Sequence, residues 1–259
     1  MLAAVVPAQN EEKRITRVLR HLRTVGVDII LPVVNGCSDN TLWEIEALDW
    51  PEIKILHFSH SLGIDVPRSI GAKVARDMGA GCVLFVDGDM VGELIAPLLS
   101  LEEAIRKEVD LALTDCYPTS DYHSPLTQQV LFFRRRLNSL CGLEELGVAS
   151  PSHGPVAVSR HFLYQVPLQA LAIPPLALAK AHLSQLTIRV AASIPHKNLQ
   201  SAVKNDRHAH LVADTIIGDC LEALCHYMGI PPSRSFQGRE YLGYHPQRRW
   251  DILADFFQR

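Results

Sequence analysis

An α/β fold built on a mostly parallel, doubly wound sheet is what the chain predicts, and three observations carry the prediction. Short apolar runs alternate with amphipathic helical stretches through the first ninety residues. Polar loops follow those runs, at 7–12, 35–39, 61–68 and 87–90. One run, 82–86, stops abruptly in Asp87-Gly88-Asp89, two carboxylates flanking a glycine, where open α/β sheets bind ligands.

The first apolar run covers 2–6 and ends at Pro7. Ile15, Val18, Leu19 and Leu22 then recur at helical spacing, with Asn10 placed to cap the helix and Gly26 to end it. A second strand is expected over 28–34. Thr41 and Glu44 carry the spacing of a capping box for the next helix. A third strand is expected over 53–57, and a helix begins near Asp65-Val66-Pro67, where proline suits the first turn. The run 82–86 is too short for a helix and rich in branched and aromatic residues, so it reads as a buried strand. Right-handed crossovers between parallel strands would bring all four polar loops to one edge of the sheet.

Beyond Met90 the pattern loosens. Helices are expected over 94–107, 126–140, 176–183, 209–228 and 250–257, with strands at 109–114, 156–158 and 186–192. Residues 231–244 are rich in turn formers, and no internal repeat or low-complexity linker interrupts the chain.

Composition narrows the function class. With 47% hydrophobic and 20% charged residues over 259 positions, the chain is that of a globular protein with ample core. A net charge of −3 gives no global basic field for nucleic acid. The basic clusters at Arg134-Arg135-Arg136 and Arg248-Arg249 are expected on solvated helix faces. Six scattered cysteines without a CxxC pair point to buried, reduced thiols. No apolar run is long enough to span a membrane, and no secretory pattern opens the chain, so a cytoplasmic location is expected.

Hard carboxylate oxygens such as those of Asp87 and Asp89 suit Mg²⁺ or Mn²⁺ held against a diphosphate. Four segments extend that hint. Val5-Val6-Pro7-Ala8-Gln9-Asn10-Glu11-Glu12, Asn35-Gly36-Cys37-Ser38-Asp39-Asn40-Thr41, Pro67-Arg68-Ser69-Ile70-Gly71 and Phe85-Val86-Asp87-Gly88-Asp89 together resemble a GT-A-type glycosyltransferase of family 2.

The resemblance implies a GT-A fold, with residues 1–90 as a nucleotide-sugar-binding half and 91–259 as the acceptor-side half of the same domain. It implies transfer of a sugar from a nucleoside diphosphate sugar, UDP- or GDP-linked, with Mg²⁺ or Mn²⁺ as cofactor. In it Pro7, Ala8 and Glu11 hold the nucleoside, and Asn35 stands where the family usually has a base-contacting aspartate. Arg68 faces the diphosphate, Asp87 meets the ribose region or the metal, and Asp89 ligates the cation. Asp87 and Asp89 are the catalytic pair it implies.

The second half resembles glucosyl-3-phosphoglycerate synthases, in which His196 would complete the metal site. Two departures qualify that likeness. The acid that inverting relatives use as general base is missing, because Ile173-Pro174-Pro175 stands there, which implies a retaining hexosyltransferase, a base elsewhere or a weakly active protein. The synthases' phosphoglycerate segment has no match around residues 116–122, so that acceptor is not transferred.

With neither a span nor a basic amphipathic helix, the unidentified acceptor is expected to be soluble, and a homodimer is left open. Two rivals remain at this point. A non-catalytic nucleotide-binding protein could have kept the pocket and lost the base. A sugar-phosphate nucleotidyltransferase would need a glycine-rich first loop, and residues 7–11 contain no glycine.

Overall fold

The computed structural model describes residues 1–118, 124–202 and 205–258. The expected alternation opens the chain: β1 (Leu2–Ala8), α1 (Ile15–Val25), β2 (Ile29–Asn35), α2 (Thr41–Glu46), β3 (Leu56–Phe58), α3 (Val66–Asp77) and β4 (Cys82–Phe85). The second half adds α4 (Ile95–Arg106), β5 (Leu111–Asp115), α5 (Pro125–Leu140), β6 (Val156–Ser159), α6 (Arg160–Gln165), α7 (Pro174–Leu183), β7 (Ile188–Ser193) and α8 (Asp206–Tyr227). A short hairpin, β8 (Ser235–Phe236) and β9 (Arg239–Glu240), precedes α9 (Trp250–Gln258). No described helix is long and apolar enough to cross a membrane.

Seven strands form one sheet in the order β3-β2-β1-β4-β6-β5-β7. All pairs are parallel except those of β6, which runs antiparallel to β4 and β5. Phe85 of β4 lies opposite Val5 on one side and Val156 on the other, so the two halves of the chain share a continuous sheet. Strand periodicity divides the core in two. Ala3 and Val5 of β1 join one buried cluster, and Leu2, Ala4 and Val6 join the cluster on the opposite face. Apolar residues on both faces are what a parallel sheet covered by helices demands.

Local signals misplace some details. Helix α1 starts at Ile15 with Arg14 at its N-cap, not at Asn10, whose φ of 58° puts it in a left-handed turn. The third strand contracts to three residues, and Ile53 keeps only a single bridge to Ile30. Helix α6 is short enough to leave no clear periodicity. All six cysteines are free, and only Cys37 is not buried.

The basic clusters depart most from expectation. Arg135 and Arg136 are exposed, but Arg134 and Arg248 are each only 3% exposed.

Candidate functional site

The carboxyl ends of β1, β2 and β4 lie at one edge of the sheet, and the loop leaving β1 is fixed there by the loop leaving β2. Four successive backbone N–H groups of the first loop donate to side chains of the second loop and of α2, which follows it. Asn10 donates to Cys37 Sγ at 3.3 Å, Glu11 to Thr41 Oγ1 at 2.7 Å, Glu12 to Asp39 Oδ2 at 3.0 Å and Lys13 to Glu44 Oε1 at 2.9 Å. Asn10 Oδ1 accepts the Ser38 N–H in return, at 2.8 Å. Thr41 and Glu44, spaced like a capping box, therefore stabilise a different segment of chain from their own helix. Burial works against the charge of Asp39, but bonds from the Thr41 hydroxyl and from the Glu12 and Thr41 amides outweigh it and hold its pKa below the ordinary value. Ala8 and Glu11 are buried in this tied loop, and Pro7 is half-buried.

The Asp87-Gly88-Asp89 turn presses against the same loop. The Gly88 N–H donates to Pro7 O at 2.9 Å, and the Met90 N–H closes a turn on Asp87 O at 3.1 Å. A side chain at Gly88 would put Cβ 2.9 Å from Ile15 Cδ1 and 3.1 Å from Pro7 O. Glycine is thus what lets the turn pass so close to β1.

Arg68, in the first turn of α3, donates from Nη2 to Asp87 Oδ1 at 2.6 Å, and its Nη1 donates to Pro151 O at 3.4 Å. The guanidinium is 5% exposed, whereas the Asp87 side chain is 34% exposed. Burial disfavours the charge of Arg68, but Asp87 and Asp65 more than compensate and raise its pKa above the ordinary arginine value. Asp89 points to another partner: its Oδ2 accepts the Ala202 N–H at 3.1 Å. Arg14 braces the same region, donating to the backbone oxygens of Asp89, at 2.7 Å, and of Gln200.

Asn35 ends β2 buried beneath the loop at 61–65. Its Oδ1 accepts the Leu62 N–H at 2.6 Å, and its Nδ2 donates to Gly63 O at 3.4 Å. The amide thus orders the neighbouring loop, a part that its place in the family motif does not suggest.

His196 follows β7 in a single 3₁₀ turn, Pro195 preceding it, and is exposed. Its Nδ1 meets Nε2 of His153 at 3.0 Å, and Tyr117 stacks on both rings at centroid distances of 5.8 and 5.6 Å. Burial, with the positive charge of Arg134 next, holds the His153 pKa well below the usual imidazole value. Arg134 itself donates to Ser152 Oγ at 3.1 Å, and its Nε has no hydrogen-bond partner among the described residues. Sequence reading missed His153, Tyr117 and Asp65, which carry no motif of their own.

The structure therefore joins Arg68 to Asp87 directly and stacks the Asp87–Asp89 turn on the Pro7–Ala8 strand end. Asp89 and His196 each have a separate partner. Among the described residues no group of three or more His, Cys, Asp or Glu side chains stands ready to hold a metal. The acid-lacking stretch Ile173-Pro174-Pro175 is buried, and Pro174 lines, with Arg68, Phe85, Pro151 and Phe162, an internal cavity of about 10 Å³. Residues 119–122 of the stretch compared with the phosphoglycerate segment lie outside the described residues.

Solved structures share this fold. A crystal structure described only as that of a mycobacterial protein is 18% identical with a TM-score of 0.63, the alignment covering 93% of this chain and 82% of that one. Glucosyl-3-phosphoglycerate synthase from Mycobacterium tuberculosis, solved with Mn²⁺, UDP and phosphoglyceric acid, is 19% identical over 90% of this chain and 80% of that one, with a TM-score of 0.59. Residues 1–349 of S. aureus TarS, solved with UDP, are 17% identical over 88% of this chain and 70% of that one, with a TM-score of 0.50. At these identities the likeness is one of fold. No curated protein matches the chain. Residues 3–164 match the family model for Glycosyl transferase family 2, and that match spans well over half of the sequence. The chain belongs to glycosyl transferase family 2.

Proposed function

We propose that the protein transfers a hexosyl group from a UDP- or GDP-linked sugar to a separate acceptor, with Mg²⁺ or Mn²⁺ at the diphosphate. The observation that carries this reading is the Arg68–Asp87 pair, a buried guanidinium 2.6 Å from a carboxylate at the end of a parallel strand. Such strand ends are where open α/β sheets take nucleotides, and a guanidinium suits a diphosphate because it offers several charge-assisted donors. Family membership and the UDP bound in the two named neighbours support the same donor class.

In this reading Pro7, Ala8 and Glu11 hold the nucleoside, Asn35 orders the loop beside the base, and Asp87 meets the ribose. The residues fit a cation that arrives with the donor. Mg²⁺ keeps waters and phosphate oxygens around it and needs only one or two protein carboxylates, so the lack of a preformed three-ligand group among the described residues is compatible with Asp89 as anchor. Asp89 and His196 would hold the ion. When bound, it would neutralise charge on the departing nucleoside diphosphate. Residues 1–90 form the donor half and the remainder the acceptor half. Retention of configuration is the outcome we favour, because no acid stands in the first turn of α7.

The test is release of nucleoside diphosphate from a panel of UDP- and GDP-sugars with Mn²⁺, followed by NMR of the anomeric product. Turnover of one donor with retained configuration supports the proposal. Tight nucleotide binding without turnover of any donor would favour a non-catalytic nucleotide-binding protein.

A further inference from the structure

A chain of buried ion pairs runs from the Asp87 turn to the carboxyl-terminal segment. Arg68 Nε lies 3.4 Å from Asp65 Oδ1, and Asp65 Oδ2 lies 3.4 Å from Arg248 Nη2. Arg248 grips Asp219 of α8 with both ends of its fork, at 2.8 and 2.7 Å, and its Nε donates to Ile64 O at 3.2 Å. Arg234 donates to the same Asp219, at 2.8 Å, and to Glu222 at 2.9 Å. The Arg248 side chain is wholly buried, and that of Asp219 is 1% exposed.

The backbone follows the same path. The Arg249 N–H donates to Leu62 O at 2.9 Å. Gly63, at φ 85°, has no room for a side chain, since its Cβ would lie 2.5 Å from Gln247 O and 2.7 Å from Arg248 Cα. The loop at 61–65 is thus clamped between Asn35 on one side and the carboxyl-terminal segment on the other. Asp65 closes that loop at φ 62°, at the N-cap of the helix that carries Arg68, and makes no side-chain cap bond there.

We infer that Arg248 is a positioning residue for the diphosphate end of the donor pocket, acting through Asp65 on Arg68; the inference rests on the glycosyltransferase reading above. Asp65 stands between two guanidinium groups. While Arg248 shares the Asp65 charge, Arg68 keeps its short bond to Asp87. With Arg248 gone and the pH held well above 6 so that Asp65 stays ionised, the buried carboxylate has one cation left and draws it away from Asp87, where a diphosphate would sit. Asp219 still has Arg234, so the carboxyl-terminal segment keeps part of its anchor.

The experiment is a double-mutant cycle on the full chain, with UDP and GDP, each with Mn²⁺, titrated by calorimetry. Arg248→Met is expected to weaken binding of the nucleotide that the wild type takes by about tenfold, within the range of coupling inside one ionic network. On the Asp65→Asn background the same substitution should change affinity by no more than about twofold, because the competing charge is already absent. A purely structural role would give equal losses on both backgrounds, and that result would overturn the inference, as would no loss on either. Should Arg248→Met fail to fold, Arg248→Lys keeps the charge without the fork and should show a smaller loss with the same dependence on Asp65. A wild type that binds neither nucleotide overturns the glycosyltransferase reading and this inference together. A wild type that binds, beside an unaffected Arg248→Met, overturns this inference alone.

Discussion

Arg68 Nη2 and Asp87 Oδ1 meet at 2.6 Å, joining the first turn of α3 to the turn that follows β4. The same guanidinium also reaches Asp65, so it spans two carboxylates at once. A lysine is a compact point charge and cannot span both. Arg68→Lys should weaken nucleoside diphosphate binding by about 2 kcal/mol, roughly thirtyfold, as read by calorimetry.

Thr41 holds the loop after β1 from 30 positions further along the chain. It is fully buried, accepts the Glu11 N–H and donates to Asp39 Oδ1 at 2.6 Å. Thr41→Val keeps the shape and strands both partners, so denaturant unfolding should show a loss of about 1–3 kcal/mol. Thr41→Ser, which keeps the hydroxyl, should recover most of it.

Gly88→Ala tests the close pass of the turn against β1. A few tenths of an ångström must be found between the new methyl and Pro7 O. The fold should survive with a modestly lower Tm, while donor turnover falls by about tenfold or more, because Asp87 and Asp89, which we propose meet the donor, are displaced.

Asp65 sets a pH dependence. Burial raises its pKa to about 6, against the opposing pull of Arg68 and Arg248. The native carboxyl therefore holds a proton that the unfolded chain has released at about pH 4. Its contribution to stability is present below pH 4, falls as pH rises through that window, and is lost above 6. Paired carboxylates such as Asp39 slope the other way, so the readout is the difference between wild type and Asp65→Asn. That difference should shift against the wild type by on the order of 2 kcal/mol between pH 4 and 7.

Much of this architecture was legible beforehand, because a buried strand writes itself as a local apolar run. Residues 2–6 and 82–86, with their polar loops, gave the sheet and the edge where Arg68, Asp87 and Asp89 stand. What stayed hidden depends on partners distant in sequence. Asn10 and Thr41 carry good local capping signals, yet their side chains bond residues 28 to 30 positions away. Arg134 and Arg248 read as solvated because arginine usually is. Only the fold brings Asp219 of α8 against Arg248, and only the loop at 150–154 brings Ser152 and His153 against Arg134 and His196. Asp65 has no motif at all: Arg68 stands only three positions on, but Arg248 is brought against it by tertiary packing alone.

In the proposed function a nucleoside diphosphate binds at this strand edge with a cation held by Asp89. Thermal unfolding of wild type and Asp89→Ala with UDP and GDP, each with and without Mn²⁺, tests it most directly, because a ligand bound only by the native state raises stability as RT ln(1 + [L]/Kd). The expected result is a Mn²⁺-dependent rise in Tm with one nucleotide in the wild type and its loss in Asp89→Ala. No rise with either nucleotide, or an equal rise in both proteins, would contradict it.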